Sequence, residues 1–228
     1  MKIMKKNMII TGSEGIVGSA ITPYMAKSYD VQNLSHRFGH DFTNEDFVKN
    51  YFADHSAEYL VNCFGFDHPI NETNKSETLF DVTLDSVNKY LLVNVTALLS
   101  VCRQFARNNS AESIVNISSI YGLVSPIPSI YENTEKHIGY SLAKAAVIQL
   151  TRHLATHLAP KIRVNCVVLG GIEHEQTSGF KKKYSEHVPM KRMMKKEEIY
   201  GLIEYLCSDK SAYVTGAIIN IDGGWTAW

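Results

Sequence analysis

Tyr140 and Lys144 are the two residues of this sequence whose types and spacing most directly suggest chemistry. They stand four positions apart within a helical pattern, so they share one face of a helix. A free tyrosine titrates at pH ~10, and a neighbouring ammonium favours its phenolate form and lowers that pKa. A tyrosine tuned in this way can exchange a proton with a substrate oxygen. Because about one such pair is expected by chance among twelve tyrosines, the pair counts only in its context.

A glycine-rich turn, Thr11 to Gly18, lies between an apolar strand pattern and a helical pattern near the N-terminus. A tight turn needs residues without a Cβ atom, and the N-terminus of the following helix can bind a pyrophosphate. The alternative is a strand–helix turn that binds no ligand. The position of the turn favours a dinucleotide site, with contacts from Gly12, Ser13, Glu14, Gly15, Ile16 and Gly18.

The residues after the second predicted strand bear on which cofactor binds. An NAD site usually has an acid at the end of this strand, where it holds the ribose hydroxyls. Here the strand runs into Ser35, His36 and Arg37, without a carboxylate. Arg37 could receive the 2′-phosphate of NADP, and a solvated loop arginine is the alternative. We therefore expect NAD(P) binding with a preference for NADP, and contacts from His36 and Arg37.

Short apolar patterns alternate with longer helical patterns along the chain. Strands are predicted over residues 7–11, 31–34, 59–63, 113–118, 162–168 and 217–221. Helices are predicted over residues 16–27, 43–55, 82–108, 138–158 and 196–207, and a loop over residues 120–139. Thr43 and Asp46 are placed as a cap and its third-residue acid. This alternation predicts one α/β domain over residues 1–228, with a parallel sheet covered on both faces.

Composition and charge exclude several classes of function. The net charge is zero, which gives no electrostatic reason to expect nucleic acid or an acidic membrane as a partner. The apolar stretch that follows the basic N-terminus is too short for a signal peptide, and no stretch reaches membrane-spanning length. The four cysteines lack zinc spacing, so we expect no metal site. The expectation is a cytoplasmic protein that acts on a small molecule.

Taken in order, the segments resemble the classical short-chain dehydrogenase/reductase family. Asp41-Phe42-Thr43 is similar to the family segment that contacts adenine, and Val61 to Gly65 is similar to its Asn-Asn-Ala-Gly strand end. Asn116 to Ser119 resembles the strand end that supplies a catalytic serine. Tyr140 with Lys144 follows, and the closing segment from Val214 to Gly224 completes the ordered set. The resemblance implies a single-domain Rossmann-type doubly wound parallel sheet and hydride transfer between NAD(P) and an alcohol or ketone.

The resemblance also implies roles for individual residues. Ser119 would hydrogen-bond the substrate oxygen, and Ser118 would be structural; a strand-end serine is the alternative for Ser119. Tyr140 would be the acid/base, and Lys144 would lower its pKa and bind the nicotinamide ribose. Asn94 would hold a water molecule of a proton relay, or would be a buried bridging amide. Further cofactor contacts would come from Asp41, Phe42, Asn62, Cys63, Phe64, Gly65, Tyr140, Lys144, Gly170 and Ile172.

The sequence departs from the family pattern at several places. The glycine spacing matches the extended branch better than the classical one, although the C-terminal signature is classical. Between Leu34 and Asp41 there is no room for the usual helix and strand. The segment Leu169 to Ile172 replaces a Pro-Gly turn. Val147 stands seven residues after Tyr140, where the enoyl-reductase branch needs lysine, so enoyl reduction is not favoured.

The segment between Ser119 and Tyr140 is longer than usual and is a candidate substrate wall; a surface excursion is the alternative. It contains Pro126, Pro128, Tyr131 and Glu132. Its sequence over residues 129–132 resembles that of bacterial dehydrogenases of nonulosonic-acid and related surface-sugar pathways. This resemblance implies a polar, sugar-like substrate. A sugar epimerase or dehydratase with retained NAD, and a non-catalytic NAD(P) sensor, are the alternative functions.

A homodimer or homotetramer is expected. The predicted helices over residues 82–108 and 138–158 are apolar on more than one face, which one sheet cannot cover. The aromatic residues Trp225 and Trp228 also suggest packing against another surface.

Overall fold

The computed structural model describes residues 5–67, 77–131 and 134–228, and these residues form a six-stranded parallel sheet. The strands are β1 (Asn7–Thr11), β2 (Asp30–Leu34), β3 (Tyr59–Asn62), β4 (Ser113–Ser119), β5 (Arg163–Leu169) and β6 (Ile218–Ile221). Their order is β2-β1-β3-β4-β5-β6, and every neighbouring pair is parallel. The predicted parallel sheet is confirmed. The order reverses between β1 and β3, which opens a crevice at the carboxyl ends of these strands.

Helices cover both faces of the sheet. They are α1 (Gly18–Met25), α2 (Glu45–Asp54), α3 (Leu84–Leu91), α4 (Ala97–Ala106), α5 (Ile138–Leu158), α6 (Ser178–His187) and α7 (Tyr200–Leu206). A π-helical turn, Leu92–Thr96, joins α3 to α4, so the single helix predicted over residues 82–108 has a widened turn in its middle. None of the described helices is long and apolar enough to cross a membrane.

Helix α6 was not predicted from the sequence. Its apolar residues Phe180 and Tyr184 have helical spacing, but three consecutive lysines separate them and give the segment a polar composition. Thr177 caps the helix by accepting the N–H of Phe180. The three lysines alone indicate a solvated face, whereas Tyr184 on the same helix is buried.

Alternate strand residues point to opposite faces of the sheet. Ile9 and Leu60 pack in one core cluster with residues of α2, α4 and α5, whereas Ile10 and Val61 pack in a second cluster with residues of α1 and α7. All four side chains are fully buried. Since central parallel strands are buried on both faces, this arrangement explains why they have continuous apolar sequences.

The cap of α2 differs from the prediction. Thr43 donates its hydroxyl and its N–H to the Asp41 carboxylate, so its side chain is not available to the helix. Asn44 is the cap instead, because its side-chain oxygen accepts the N–H groups of Asp46 and Phe47. The helix therefore begins at Glu45, two residues later than predicted.

The chain between β2 and α2 is short, as the sequence predicts. One 3₁₀ turn, His36–Phe38, takes the place of a longer connection, and Gly39 leaves it with a φ of 84°. In the part of the chain that the structure describes, β2 is the edge strand and no strand lies beyond it.

A chain of buried hydrogen bonds joins three strands to α5. The Thr11 hydroxyl donates to the Asn62 side chain over 2.9 Å, and Asn62 donates to Asn116 over 2.9 Å. Asn116 then donates to the Thr151 hydroxyl of α5 over 3.1 Å. All four side chains are at most 2% exposed, so each depends on the others to satisfy its polar groups.

Replacing Asn116 by leucine should destabilise the fold. The Asn62 amide would lose its oxygen acceptor and keep the weaker Cys102 sulfur in a place that water does not reach, which costs about 1–3 kcal/mol in the free energy of unfolding. Chemical denaturation of Asn116→Leu and the parent protein measures this loss. Asn109→Leu, at an exposed position, is the control and should change stability by less than about 0.5 kcal/mol. Equal losses in the two variants would contradict the role given to the buried chain.

Candidate active site

The N-terminal half of α5 is fixed against the end of β4. The Ser118 hydroxyl donates to the backbone carbonyl of Lys144 over 2.8 Å. Gly122 passes the same carbonyl so closely that a Cβ atom there would lie 2.6 Å from its oxygen. His137 caps the helix by accepting the Gly139 N–H with its Nδ1 atom. These contacts set the positions of Tyr140 and Lys144 relative to β4.

Ser119 and Tyr140 meet at the end of β4. The Ser119 side chain lies close enough to the Tyr140 phenol to lower its pKa. The Ser119 oxygen accepts the Tyr121 N–H over 3.2 Å. Ser119 is 8% exposed, whereas Ser118 is directed to the backbone of α5. The two neighbouring serines therefore differ in their surroundings: Ser118 holds the helix, and Ser119 faces the tyrosine.

Lys144 lies beside the tyrosine in a nearly closed environment. Its Nζ atom donates to the Ile117 carbonyl over 3.2 Å and lies 5.6 Å from the centroid of the Tyr140 ring. Burial lowers the pKa of Lys144. Burial raises the pKa of Tyr140, as does the nearby Asp67 carboxylate, whereas the hydrogen bond from Ser119 lowers it. The tyrosine pKa is therefore raised, opposite to the shift expected from the lysine alone, because burial dominates.

Asn94 lies in the π-helical turn and is 3% exposed. Its side-chain oxygen accepts the Phe66 N–H over 2.8 Å, and its nitrogen donates to the Phe66 carbonyl over 2.9 Å. A Cβ atom on Gly65 would lie 2.7 Å from the Asn94 oxygen, so this approach requires glycine. The amide thus holds the chain after β3 next to Lys144.

The glycine turn is built for close approach. Gly12 has a φ of 68°, and a Cβ atom there would overlap the backbone of Phe64. A Cβ atom on Gly18 would overlap the Gly12 carbonyl, so α1 can begin directly against the turn only with glycine. Ser13 is 1% exposed, and its hydroxyl has no hydrogen-bond partner among the described residues.

The end of β2 presents an exposed cation. Arg37 lies on the 3₁₀ turn, and no acidic side chain of the described residues pairs with its guanidinium. His36 beside it is also exposed. The Asp41 carboxylate is occupied by Thr43, and these hydrogen bonds lower its pKa. Phe42 is 7% exposed and packs against Phe64, with ring centroids 4.6 Å apart.

A cavity of about 350 Å³ brings together many of the predicted site residues. Those on its wall are Gly15, Ile16, Cys63, Gly65, Asn94, Ser119, Tyr140, Lys144, Gly170 and Ile172. The remaining predicted residues lie elsewhere: Gly12, Ser13, Glu14, Gly18, His36, Arg37, Asp41, Phe42, Asn62 and Phe64. Among them, the Asn62 side chain is engaged in the buried chain that links β1 to β4.

Several wall residues were not predicted from the sequence to be catalytic or to bind the cofactor. They are Val17, Phe66, Asp67, Ile117, Ser118, Ile120, Tyr121, Lys136, Leu169, Gly171, Gln176, Phe180, Tyr184 and Met193. Phe180 and Tyr184 carried a weak signal, their spacing of four residues, whereas isolated charges such as Asp67 and Lys136 carried none. Of the predicted substrate wall, Tyr131 lines the cavity and donates its hydroxyl to Tyr121 over 2.7 Å. Pro126 and Pro128 do not line it, and Glu132 lies outside the described residues.

The turn after β5 is held by an aromatic pair. The Gly171 N–H donates to the Tyr184 hydroxyl over 2.5 Å, and a Cβ atom on Gly171 would lie 2.7 Å from the same ring. Tyr184 stacks on Trp225 with ring centroids 4.5 Å apart. Trp225 is therefore buried within its own chain, whereas Trp228 is 80% exposed.

These residues fit a dinucleotide. Gly12 and Gly18 let the turn pack tightly between β1 and α1, which leaves the N-terminus of α1 next to the crevice. The Ser13 hydroxyl has no partner among the described residues, although buried polar groups nearly always have one. The crevice leads from this turn to Tyr140 and Lys144 through Gly15 and Ile16 on the cavity wall. The arrangement can place a redox cofactor and a proton donor on the same small molecule.

Comparisons with known proteins identify the family. Residues 20–226 match a family model described as enoyl-(acyl carrier protein) reductase. The 3-oxoacyl-(acyl-carrier-protein) reductase FabG of Thermotoga maritima is 33% identical over 97% of this chain and 84% of its own length. The post-translational flagellin modification protein A of Campylobacter coli is 29% identical over 81% of this chain and 75% of its own length.

A solved structure agrees over nearly the whole chain. The short-chain dehydrogenase of Leptospira borgpetersenii with bound NAD⁺ has a TM-score of 0.84 at 29% identity, and covers 98% of this chain and 93% of that one. The match extends over the glycine turn, the sheet and α5. The chain therefore belongs to the short-chain dehydrogenase/reductase family, whose members are oxidoreductases that bind NAD or NADP.

Proposed function

We propose that this protein transfers a hydride between NAD(P) and the alcohol or ketone group of a small polar molecule, with Ser119, Tyr140 and Lys144 at the reaction centre. The observation that carries this proposal is that Ser119, Tyr140 and Lys144 line one cavity together with Gly15 and Ile16 of the glycine turn. An acid/base needs hydrogen-bond access to the reacting oxygen, and a ligand in this cavity would contact both hydroxyls.

Tyr140, Ser119 and Lys144 have separate roles in the proposed reaction. NAD(P), when bound, supplies or accepts the hydride. The raised pKa of Tyr140 keeps its phenol protonated at neutral pH, so it can donate a proton to a carbonyl oxygen during reduction. Ser119 hydrogen-bonds the same oxygen as negative charge develops there. Lys144 supplies a positive charge beside the phenol, and its ammonium would bind the nicotinamide ribose.

Other predicted residues complete the cofactor site. Gly12, Ser13 and Gly18 would admit the pyrophosphate, and the crevice would receive the nicotinamide between Ile16 and Ile172. Asn94 would act through the backbone that it holds, and its part in a proton relay remains a proposal. The exposed, unpaired Arg37 supports NADP as the preferred cofactor, because a guanidinium binds a phosphate in a bidentate way.

The substrate is proposed to be sugar-like. Tyr131 on the cavity wall supports the segment after β4 as a substrate wall, and the similarity to a flagellin modification protein is in keeping with a surface-sugar pathway. The similarity to FabG supports a ketone as the reacting group. Enoyl reduction is not proposed, because Val147 is buried in the core and no lysine stands at that position.

We also propose that the protein is a homodimer or homotetramer with one domain per chain. Leu84, Leu92 and Leu99 on the α3–α4 segment and Leu142 on α5 are at least 39% exposed. Apolar side chains exposed on neighbouring helices are typical of a subunit interface.

Replacing Tyr140 by phenylalanine should leave the fold and cofactor binding intact and lower kcat by about 10²–10⁴-fold, the usual contribution of a general acid. The assay follows NAD(P)H absorbance with a panel of ketones, aldoses and sugar acids. Tyr213→Phe makes the same chemical change at a fully exposed tyrosine and should keep parental turnover. Undiminished turnover in Tyr140→Phe would refute the assignment, and product formed without a net absorbance change would indicate an epimerase or dehydratase.

The two serines should respond differently to alanine. Ser119→Ala should lower kcat by about 10²-fold, because it removes a donor to the developing oxyanion. Ser118→Ala should lower the free energy of unfolding by about 1 kcal/mol, because it removes the bond to α5. Steady-state kinetics and chemical denaturation on both variants measure the contrast. If Ser118→Ala had the greater effect on kcat, the assignment of the two serines would be reversed.

Arg37→Gln should weaken NADPH binding by about 10- to 100-fold, since it removes a charge-assisted contact to the 2′-phosphate. The affinity for NADH should not change. Fluorescence titration with both reduced cofactors measures the ratio, and Arg107→Gln at another exposed arginine is the control. An unchanged NADPH to NADH ratio in Arg37→Gln would remove the argument for NADP.

A further inference from the structure

An ion pair lies against the ring of Tyr140. The Lys136 ammonium is 2.5 Å from an Asp67 carboxylate oxygen and 4.0 Å from the centroid of the Tyr140 ring. Both charged residues line the cavity. The Lys136 side chain is 12% exposed and the Asp67 side chain 42% exposed. A cation is thus held, largely out of water, next to the group that is proposed to exchange the proton.

The bonding of Lys136 is incomplete. An ammonium group has three N–H donors, and in the part of the chain that the structure describes Asp67 is the one hydrogen-bond acceptor of Lys136. The other charged residues of the described cavity wall are Asp67 and Lys144. Lys144 donates to the Ile117 carbonyl, and in the proposed function its ammonium also binds the nicotinamide ribose. Lys136 is therefore the cation of the described wall that remains for the substrate.

We propose that Lys136 selects the substrate by binding a carboxylate group close to the carbon that is oxidised or reduced, and that Asp67 occupies the place of this carboxylate until the substrate arrives. This inference rests on the proposed function. The Lys136 ammonium lies over the ring whose hydroxyl would hydrogen-bond the substrate oxygen, so a carboxylate that binds Lys136 would be close to the reacting carbon. A 2- or 3-oxo acid, or the corresponding hydroxy acid, has its carboxylate carbon one or two bonds from that carbon.

The charge and size of the cavity favour a carboxylate over a phosphate. The described cavity wall contains no arginine, the residue that binds phosphate in a bidentate way, and Asp67 would repel a dianion more strongly than a monoanion. The cavity of about 350 Å³ must also hold the nicotinamide, which limits the substrate to a small molecule. The aromatic pair Tyr131 and Phe180, with ring centroids 5.5 Å apart, provides an apolar wall for its carbon atoms.

Asp67 would make the site select anionic substrates over neutral ones. A neutral substrate cannot replace its carboxylate, so the ion pair would persist and restrict the space beside Tyr140. An anionic substrate can take over the ammonium, and the displaced Asp67 side chain is exposed enough to be solvated. The pair thus disfavours neutral analogues as well as attracting acids.

The test compares acids with their amides. D-Gluconate, D-glycerate and 2-oxobutanoate, each with its amide, are titrated against the full-length protein by thermal shift, with and without NADPH, and are assayed for turnover. The parent protein should prefer the carboxylates. Lys136→Met should reduce that preference by about 10- to 100-fold, mainly through KM, and Lys136→Arg should restore part of it. Lys182→Met, at an exposed lysine of α6, is the control and should keep the parental preference.

Asp67→Asn separates recognition from a structural role. If the ion pair only holds two loops together, Asp67→Asn and Lys136→Met should both weaken ligand binding. In our proposal the two changes act in opposite directions, because Asp67→Asn removes the competitor and should tighten carboxylate binding. The inference is overturned if no carboxylate binds better than its amide, or if Lys136→Met keeps the parental preference.

The experiments distinguish a failure of the proposed hydride transfer from a failure of the proposed carboxylate recognition by Lys136. The thermal-shift comparison needs no turnover, so it reports on Lys136 even if no substrate is converted. Absence of NAD(P)H binding, or parental turnover in Tyr140→Phe, would count against the proposed function alone. Turnover of neutral ketones that Lys136→Met does not change would count against the carboxylate alone.

Discussion

The buried chain of hydrogen bonds from Thr11 through Asn62 and Asn116 to Thr151 is the constraint on which the site depends. It joins β1, β3 and β4 to α5 inside a core where an unmade bond is costly. The strand ends carry the glycine turn and Ser119, and α5 carries Tyr140 and Lys144. The relative positions of the proposed cofactor site and the proposed proton donor are thus set by polar contacts that specify one register, in addition to apolar packing that would tolerate several.

Close backbone approaches add precision to this frame. Gly12 allows the turn to contact the chain after β3, Gly65 allows Asn94 to hold that chain, and Gly122 brings the end of β4 against α5. Ser118 then bonds the Lys144 carbonyl. Each of these approaches excludes a Cβ atom, so the glycines here serve contact between segments. The shape of the cavity therefore depends on these close contacts between backbone segments, and the side chains on its wall determine its chemistry.

Much of this arrangement could be predicted from the sequence. The bounds of β1 and α5 agree with the predicted ranges, because each has a local pattern of apolar residues and clear end signals. Tyr140 and Lys144 could be predicted as neighbours because both lie on one helix. Asp67 and Lys136 could not be found, because they are 69 residues apart and meet only through the fold. The predicted direction of the Tyr140 pKa shift was wrong. Residue spacing reveals a neighbouring charge but not how deeply the phenol is buried.

The surroundings of the cysteines have a consequence for oxidation. Burial raises the pKa of Cys63, on the cavity wall, to about 12, and it does the same for Cys102, Cys166 and Cys207 in the core. Only the thiolate reacts with peroxides and disulfides, so the raised pKa of each thiol lowers its reactivity at neutral pH. The cavity wall therefore contains a sulfur atom whose reactivity burial reduces, and the three core thiols are in addition shielded from oxidants by the fold.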